Sequence, residues 1–341
     1  MHVTEPNSSS TPTAQEQVLE REVQLFQQWT KSIEQECAKK IVGQSSLLRR
    51  LIMALIGQGH ILLEGLPGLA KTTSIKTLAS TTGLRFKRIQ FTPDLLPADV
   101  LGTQIFDPKT TDFKVKQGPI FSNLILADEI NRAPAKVQSA LLEAMEEQQV
   151  TIGKETFSLE KPFMVMATQN PIEQEGTYPL PEAQLDRFLF KVKLDYPSLE
   201  EEVQIIALAN KQIQAPTIQN IANSAQILHW KSLVHQIYVD KRIHQYIVGI
   251  VHASRKPSAF GVTQLSEFVY CGASPRASLA LDLAARLNAM YQGRTYVIPA
   301  DIKDVAHDIL RHRILLSYEA EAASQSVEDV IQTLLDNVDI P

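Results

Sequence analysis

The segment that decides the fold of this chain is GLPGLAKTT, residues 65–73. Residues 60–64 before it read as a short buried strand, and residues 74–79 after it have helical spacing. A strand, a glycine-rich loop, Lys71-Thr72 and a helix together form the context of a phosphate-binding loop. Such a loop points successive backbone N–H groups and a helix N-terminus at one anion. The alternative is an ordinary Gly/Pro turn between a strand and a helix.

If the loop binds a nucleotide, Lys71 contacts the β- and γ-phosphates, and the Thr72 hydroxyl is a ligand of Mg²⁺. Ala70 occupies a position where the usual motif has glycine. Because alanine adds one methyl group and tolerates a helical backbone, we expect a modest steric effect and not loss of the site. The predicted nucleotide-binding residues of this segment are Gly65, Pro67, Gly68, Leu69, Ala70, Lys71, Thr72 and Thr73.

A second landmark is an apolar run, residues 124–127, that ends in Asp128 and Glu129. It reads as a buried strand whose C-terminal tip carries both carboxylates, and open α/β sheets bind their ligands at such tips. Asp128 suits a magnesium role through water, and Glu129 suits general-base work on an attacking water. The alternative is that both carboxylates cap the next helix, because acidic residues are common at helix N-termini.

Three further polar residues are candidates for the same site. Asn170 follows a predicted buried strand and either orients the attacking water or initiates an Asn-Pro turn. Arg187 precedes the last predicted core strand and is either an exposed arginine at an edge or the partner of Asp186. Arg276 lies in the first turn of a predicted helix, where the helix dipole disfavours a cation. A nearby phosphate would explain an arginine at that position.

Length and composition narrow the class of protein. The chain has 341 residues, 44% of them apolar, and is long enough for two domains. Its net charge of −5 makes sequence-blind binding to nucleic acid unfavourable. Cys37 and Cys271 are far apart in sequence, which fits a reducing compartment. We expect a cytoplasmic protein without membrane insertion, no metal other than magnesium, and solvent contact for His307 and His312.

Changes in pattern along the chain predict its domains. Residues 1–17 form a polar leader that we expect to be disordered, residues 18–196 an α/β core, and residues 197–341 a helical domain. Two predicted hairpins interrupt the core, one within an insert at residues 92–118 and one at residues 150–159. Because their turns are polar, we expect both hairpins to contribute little to the core.

Taken together, these landmarks resemble the AAA+ ATPases, and more closely the MoxR family among them. The resemblance runs from about residue 41 to residue 316, and Ala70 is common in this family. It implies an α/β fold, with a parallel five-stranded αβα P-loop core followed by a smaller all-α lid domain. The most specific strings are EGLPGLAKT (64–72), ADEINRAP (127–134), ATQNP (167–171) and LDRF (185–188).

The resemblance implies an ATPase that uses ATP and Mg²⁺ and assembles into a ring, commonly a hexamer. Lys71 and Thr72 would be the Walker A pair, and Asp128 and Glu129 the Walker B pair. The other implied roles belong to residues matched by position: Val42 and Gly43 near the adenine, Asn170 as sensor 1, Arg276 as sensor 2 reaching the phosphates from the lid, and Arg187 as the finger that enters the neighbouring subunit's site.

Two classes of function remain open at this stage. The first is a chaperone-like ATPase that remodels, assembles or activates protein clients, which in this family often carry von Willebrand factor type A domains. The alternative is a nucleic-acid motor related to the minichromosome maintenance helicases, which share the two inserts. The negative net charge of the chain favours protein clients over nucleic acid.

Overall fold

The computed structural model describes residues 14–65, 69–109, 111–170, 177–210 and 217–340. At its centre lies a parallel five-stranded sheet. Strands and helices are numbered here in chain order. From one edge of the sheet to the other, the strands are β2 (Phe86–Gln90), β5 (Leu124–Asp128), β8 (Met164–Gln169), β1 (Ile61–Glu64) and β9 (Phe190–Lys193). The predicted fold class is therefore confirmed.

The central strands are buried on both faces. Along β1, Leu62 packs into one hydrophobic cluster and Leu63 into the cluster on the opposite face of the sheet. Ile125 and Leu126 of the neighbouring β5 divide between the clusters in the same way. A parallel sheet covered on both faces needs apolar residues at successive positions, which explains the continuous apolar runs in the sequence.

Helices cover both faces of the sheet, and the first of them changes one expectation. Helix α1 begins at Ala14, so residues 14–17 of the predicted disordered leader are helical. Residues 1–13 lie outside the described part of the chain. The helices of this region are α1 (Ala14–Ala38), α2 (Ser45–Gly57), α3 (Lys71–Thr82), α4 (Pro97–Leu101), α5 (Ala135–Glu147) and α6 (Glu182–Leu185).

Both predicted hairpins are present, but they differ in burial. The first consists of β3 (Gly102–Asp107) and β4 (Asp112–Gln117), and most of its side chains are exposed. The second consists of β6 (Gln149–Ile152) and β7 (Glu155–Ser158). In β6 the side chains of Val150 and Ile152 belong to one of the two hydrophobic clusters. The expectation that both hairpins contribute little to the core is therefore wrong for the second one.

The C-terminal part of the chain is mainly helical. It also contains a short antiparallel pair, β10 (Val269–Cys271) and β11 (Leu315–Leu316), that the sequence did not predict. None of the described helices is both long and apolar enough to cross a membrane. The helices are α7 (Leu199–Asn210), α8 (Ser224–Val234), α9 (Lys241–Arg255), α10 (Pro275–Tyr291), α11 (Pro299–Leu310), α12 (Tyr318–Ala322) and α13 (Val327–Asn337).

The helical region and the sheet share one hydrophobic cluster. Phe26 of α1 contacts Trp230 of α8, with 5.6 Å between ring centroids. Arg50 of α2 is buried, and its Nε donates to Asp308 Oδ2 of α11 at 2.7 Å. The domain boundary at residues 196–197 remains a proposal. The α/β part of the chain lies before it and the helical part after it, and one hydrophobic cluster continues across it.

Of the two histidines expected to contact solvent, His312 does not, whereas the side chain of His307 is 29% exposed and also contacts a neighbouring helix. His312 is buried, and its Nε2 lies 3.1 Å from the carbonyl oxygen of Phe188. Burial lowers the pKa of His312 well below its usual value. His307 of α11 contacts Glu328 of α13, with 2.8 Å between Nδ1 and Oε2. Packing of α11 against β9 and α13, which the local sequence does not reveal, accounts for both positions.

Candidate active site

The carboxyl ends of β1, β5 and β8 meet at one edge of the sheet, beside the N-terminus of α3. A cavity of about 400 Å³ lies there. This volume falls within the range of ligand pockets. The structure thus brings together the predicted side chains from three separate segments. The residues lining the cavity are Leu69, Ala70, Lys71, Thr72, Thr73, Arg88, Asp128, Glu129, Thr168 and Asn170.

The loop that opens α3 is described at its two ends. Gly65 follows β1, and Leu69 and Ala70 precede the helix, while Pro67 and Gly68 lie outside the described residues. Ala70 has φ 54° and ψ 19°, in the left-handed region. An L-residue there costs about 1–2 kcal/mol. Ala70 therefore does not have the helical backbone on which the expected modest steric effect was based, because this position takes the conformation that glycine adopts most easily.

Lys71 begins α3 and points across the loop. Its ammonium group donates a hydrogen bond to the carbonyl oxygen of Gly65. Partial burial lowers the pKa of Lys71, while the negative charges of Asp128 and Glu129 act in the opposite direction. A partly desolvated cation at a helix N-terminus is well suited to bind an anionic phosphate.

Asp128 is held from two sides at the end of β5. The Thr168 hydroxyl donates to Asp128 Oδ1 at 2.7 Å. Arg88 of the edge strand β2 donates to Asp128 Oδ2 through Nε at 3.0 Å and Nη2 at 2.6 Å. Neither Thr168 nor Arg88 was predicted from the sequence to belong to the site. Recognising them requires the strand order, because β2 and β8 flank β5 only in the folded sheet.

Glu129 has a strained backbone and a restrained side chain. Its φ is 56°, and its N–H donates to Thr168 Oγ1 at 2.9 Å. Its Oε2 accepts from Gln90 Nε2 at 2.8 Å and from Arg132 Nη1 at 3.0 Å. The alternative in which both carboxylates cap the next helix is wrong, because the N-cap of α5 is Pro134 and no side chain makes a capping bond there. Strained residues such as Glu129 cluster at functional sites.

Arg187 and Arg276 do not line this cavity. Both form ion pairs with Glu146 of α5, Arg187 at 2.9 Å and Arg276 at 2.6 Å. The alternative in which Arg187 pairs with Asp186 is wrong, because Asp186 accepts a bond of 2.7 Å from Arg313 Nε instead.

Val42 and Gly43 also lie outside the lining of the Lys71 cavity. Gly43 has φ +71° and sits against the carboxylate of Glu201 in α7. A Cβ added at Gly43 would lie 2.7 Å from Glu201 Cδ, the end of a flexible side chain that can shift, so the positive φ is what favours glycine here.

The residues of the cavity fit a magnesium nucleotide. The Thr72 hydroxyl and the Asp128 carboxylate supply oxygen atoms, which are the ligands that Mg²⁺ prefers. Lys71 and the first N–H groups of α3 supply positive potential for phosphates. The Arg88–Asp128 contact shows that this carboxylate already balances a positive charge.

Comparison with known proteins agrees with this arrangement. Residues 60–190 match the family described as "ATPase family associated with various cellular activities (AAA)", and residues 263–334 match the AAA lid domain. The chain is 48% identical over 306 residues to Chaperone MoxR1 of Mycobacterium tuberculosis, covering 90% of this chain and 81% of that protein. The chain belongs to the MoxR family of AAA+ ATPases.

A further relative supports the MoxR assignment by its name, and a solved structure supports the fold. Protein MoxR of Methylorubrum extorquens is 30% identical over 338 residues, which cover 90% of this chain and 94% of that protein. The crystal structure of a putative ATPase from Cytophaga hutchinsonii superposes with a TM-score of 0.90 at 45% identity. That alignment covers 96% of this chain and 100% of the other. The resemblance read from the sequence is therefore confirmed, as is the AAA core with its lid.

Proposed function

We propose that this MoxR-family protein hydrolyses ATP with Mg²⁺ and uses the energy to remodel, assemble or activate protein clients. The observation that carries the proposal is the cavity in which Lys71, at the N-terminus of α3, faces Asp128 and Glu129. The name Chaperone MoxR1, carried by a relative 48% identical to this chain, supports a chaperone-like role. The net charge of −5 favours protein clients over nucleic acid.

In this proposal, five side chains of the cavity take part in ATP binding or hydrolysis. Lys71 binds the β- and γ-phosphates, and Thr72 and Asp128 hold Mg²⁺, which neutralises charge that develops on the phosphates. Glu129 accepts a proton from the attacking water, and Asn170 orients that water. Val42 and Gly43 are proposed to lie near the adenine, on the strength of the family resemblance alone.

The proposed working form is a ring, with a hexamer as the expected number of subunits. Arg187 lies outside the Lys71 cavity of its own chain, which is compatible with contact to the nucleotide of a neighbouring subunit. Clients with von Willebrand factor type A domains are proposed from the family resemblance. The cytoplasm remains the proposed location, and the free state of Cys37 and Cys271 fits it.

Two substitutions separate the proposed role of Lys71 in ATP binding from that of Glu129 in hydrolysis. Lys71→Ala is expected to abolish ATP binding, because the ammonium group is lost from the phosphate site. Glu129→Gln is expected to keep ATP binding and lose hydrolysis, because an amide cannot accept the proton from water. Calorimetric ATP binding and phosphate release measure the two effects separately. Normal turnover by the Glu129→Gln protein would show that Glu129 is not the general base.

A further inference from the structure

A second cavity, of about 300 Å³, lies between the end of α5 and the start of α10. Three charged side chains meet at its wall. Glu146 Oε2 forms an ion pair with Arg187 Nη2 at 2.9 Å, and Glu146 Oε1 accepts a hydrogen bond from Arg276 Nη2 at 2.6 Å. One carboxylate thus uses its two oxygen atoms to hold one arginine from the core and one from the helical region.

The backbones that carry the two arginines are tied together as well. Asp186, next to Arg187 in the chain, accepts a bond of 2.8 Å from the hydroxyl of Ser274, the N-cap of α10. Arg276 lies in the first turn of that helix. Arg313 is almost fully buried and donates to the other oxygen of Asp186 at 2.7 Å. Two side-chain contacts therefore hold the two arginines relative to each other, the shared carboxylate of Glu146 and the Ser274–Asp186 hydrogen bond between their neighbours.

Stability alone is a weak reason for this cluster. The side chains of Arg187, Glu146 and Arg276 are 29%, 36% and 51% exposed. Ion pairs at such exposure contribute only about 0–1 kcal/mol. Without the carboxylate of Glu146, by contrast, the two guanidinium groups would repel each other, and the half-exposed Arg276 would lose its ion-pair partner.

The arginines keep donors that can bind a further anion. A guanidinium group has five N–H donors. Arg187 uses Nη1 on the carbonyl oxygen of Leu142 at 2.8 Å and Nη2 on Glu146. Nη1 and Nη2 each carry a second N–H, whereas Nε is buried and out of reach of solvent. An anion that approaches the cluster can therefore bind Arg187 and Arg276 while Glu146 still holds them.

We propose that Glu146 is a positioning residue that holds Arg187 and Arg276 side by side, so that both reach one nucleotide in the neighbouring subunit. The inference rests on the proposed function, in which Arg187 acts across a subunit contact. It also specifies which phosphates Arg276 reaches, because the family resemblance implies only that this arginine reaches phosphates from the lid. Arg276 shares its carboxylate partner with Arg187 and does not line the Lys71 cavity of its own subunit.

Mixed rings allow Glu146 to be tested in one subunit at a time. Lys71→Ala subunits bind no ATP but donate their arginines, and Arg187→Ala subunits bind ATP but donate no finger. Turnover in the mixture therefore comes from sites at which these two kinds of subunit meet. Glu146→Gln is introduced into the donor or into the acceptor, and Glu147→Gln, an exposed neighbour on the same helix, serves as the matched control.

A loss of ATP turnover is expected only when Glu146→Gln is in the subunit that donates the arginines. Glu146→Gln in the donor lowers the kcat of the mixture on the order of tenfold, with the KM for ATP unchanged, because the acceptor binds the nucleotide. Glu146→Gln in the acceptor and Glu147→Gln in either subunit leave turnover unchanged. Thermal unfolding and ring assembly of the Glu146→Gln donor match those of its parent, which separates positioning from a merely structural effect.

Other outcomes overturn the inference in distinguishable ways. Full turnover with the Glu146→Gln donor would show that the carboxylate does not position the arginines. Loss in the acceptor arm would show that it acts within its own chain. No turnover in the parental mixture of Lys71→Ala and Arg187→Ala subunits would overturn the role of Arg187 across the subunit contact, and the inference with it.

Discussion

Thr168 links the two acidic residues of the candidate active site, the carboxylate of Asp128 and the backbone N–H of Glu129, through one hydroxyl group. It donates to Asp128 at 2.7 Å and accepts from the backbone N–H of Glu129 at 2.9 Å. The side chain is almost fully buried at the end of β8. A hydroxyl that donates and accepts at once fixes the position of both acidic residues relative to the sheet.

We expect Thr168→Val to lower ATP turnover with little effect on ATP binding. Valine has the shape of threonine but leaves the N–H of Glu129 and the carboxylate of Asp128 without this partner. Leaving a buried polar group unpaired costs about 1–3 kcal/mol, so the free energy of unfolding falls as well. Thr168→Ser keeps the hydroxyl and is the matched control. Equal turnover in the valine and serine proteins would contradict the role given to Thr168.

The two hairpins show how similar elements can serve different purposes. Ile152 in the second hairpin is 4% exposed and packs in a hydrophobic cluster, whereas Ile105 in the first is 47% exposed. Phe106 and Phe113 also lie on the exposed first hairpin and pack against each other, with ring centroids 5.4 Å apart. The second hairpin therefore supports the core, and the first is a largely solvent-exposed extension.

The same substitution in the two hairpins tests this difference. Ile152→Ala is expected to lower the free energy of unfolding by about 2–4 kcal/mol, because it removes buried methyl groups and leaves a cavity. Ile105→Ala is expected to change it by about 0.5 kcal/mol or less. Denaturant unfolding of both proteins measures the contrast. Similar losses at both positions would mean that the first hairpin also supports the fold.

The contact between α11 and α13 predicts a pH dependence of stability. The hydrogen bond to Glu328 raises the pKa of His307 above its usual value of about 6.5, against the effect of partial burial. Burial alone would raise the pKa of Glu328, but contacts with His307, Arg311 and Lys193 lower it overall. The ion pair is therefore complete at pH values at which His307 is protonated.

Because the folded protein holds the His307 proton more tightly than the unfolded chain, its contribution to stability is full below about pH 6.5. The contribution is lost as pH rises through the raised pKa of the folded state. His307→Gln is expected to flatten this part of the profile. Chemical unfolding at several pH values measures it, and an unchanged slope in the glutamine protein would rule out His307 as the titrating group.

Across the whole molecule, the structural features that depend on neighbouring residues in the chain could be predicted from the sequence. The strand, loop and helix around Lys71 and the apolar run that ends at Asp128 are local patterns, and both were predicted correctly. Thr168 and Arg88 were missed because each contacts Asp128 across 40 residues of sequence, through the order of the strands. Local patterns do not encode that order.

The position of Arg276 depends on a still longer separation. Its partner Glu146 lies 130 residues away in the sequence, and the contact exists only because the helical region packs beside α5. The helix that carries Arg276 in its first turn was predicted, but the direction in which Arg276 points was not. The family resemblance supplied a role for Arg276 that the contacts of this chain do not by themselves suggest.

The most direct test of the account is ATP turnover per subunit, measured over a dilution series for the unchanged protein and for Arg187→Ala. If Arg187 completes the site of a neighbouring subunit, turnover per subunit rises steeply as rings assemble. Arginine fingers supplied by a partner raise turnover by roughly 10³–10⁵-fold, so the Arg187→Ala protein stays slow at every concentration. Turnover that does not depend on concentration, at the same rate in both proteins, would contradict the account.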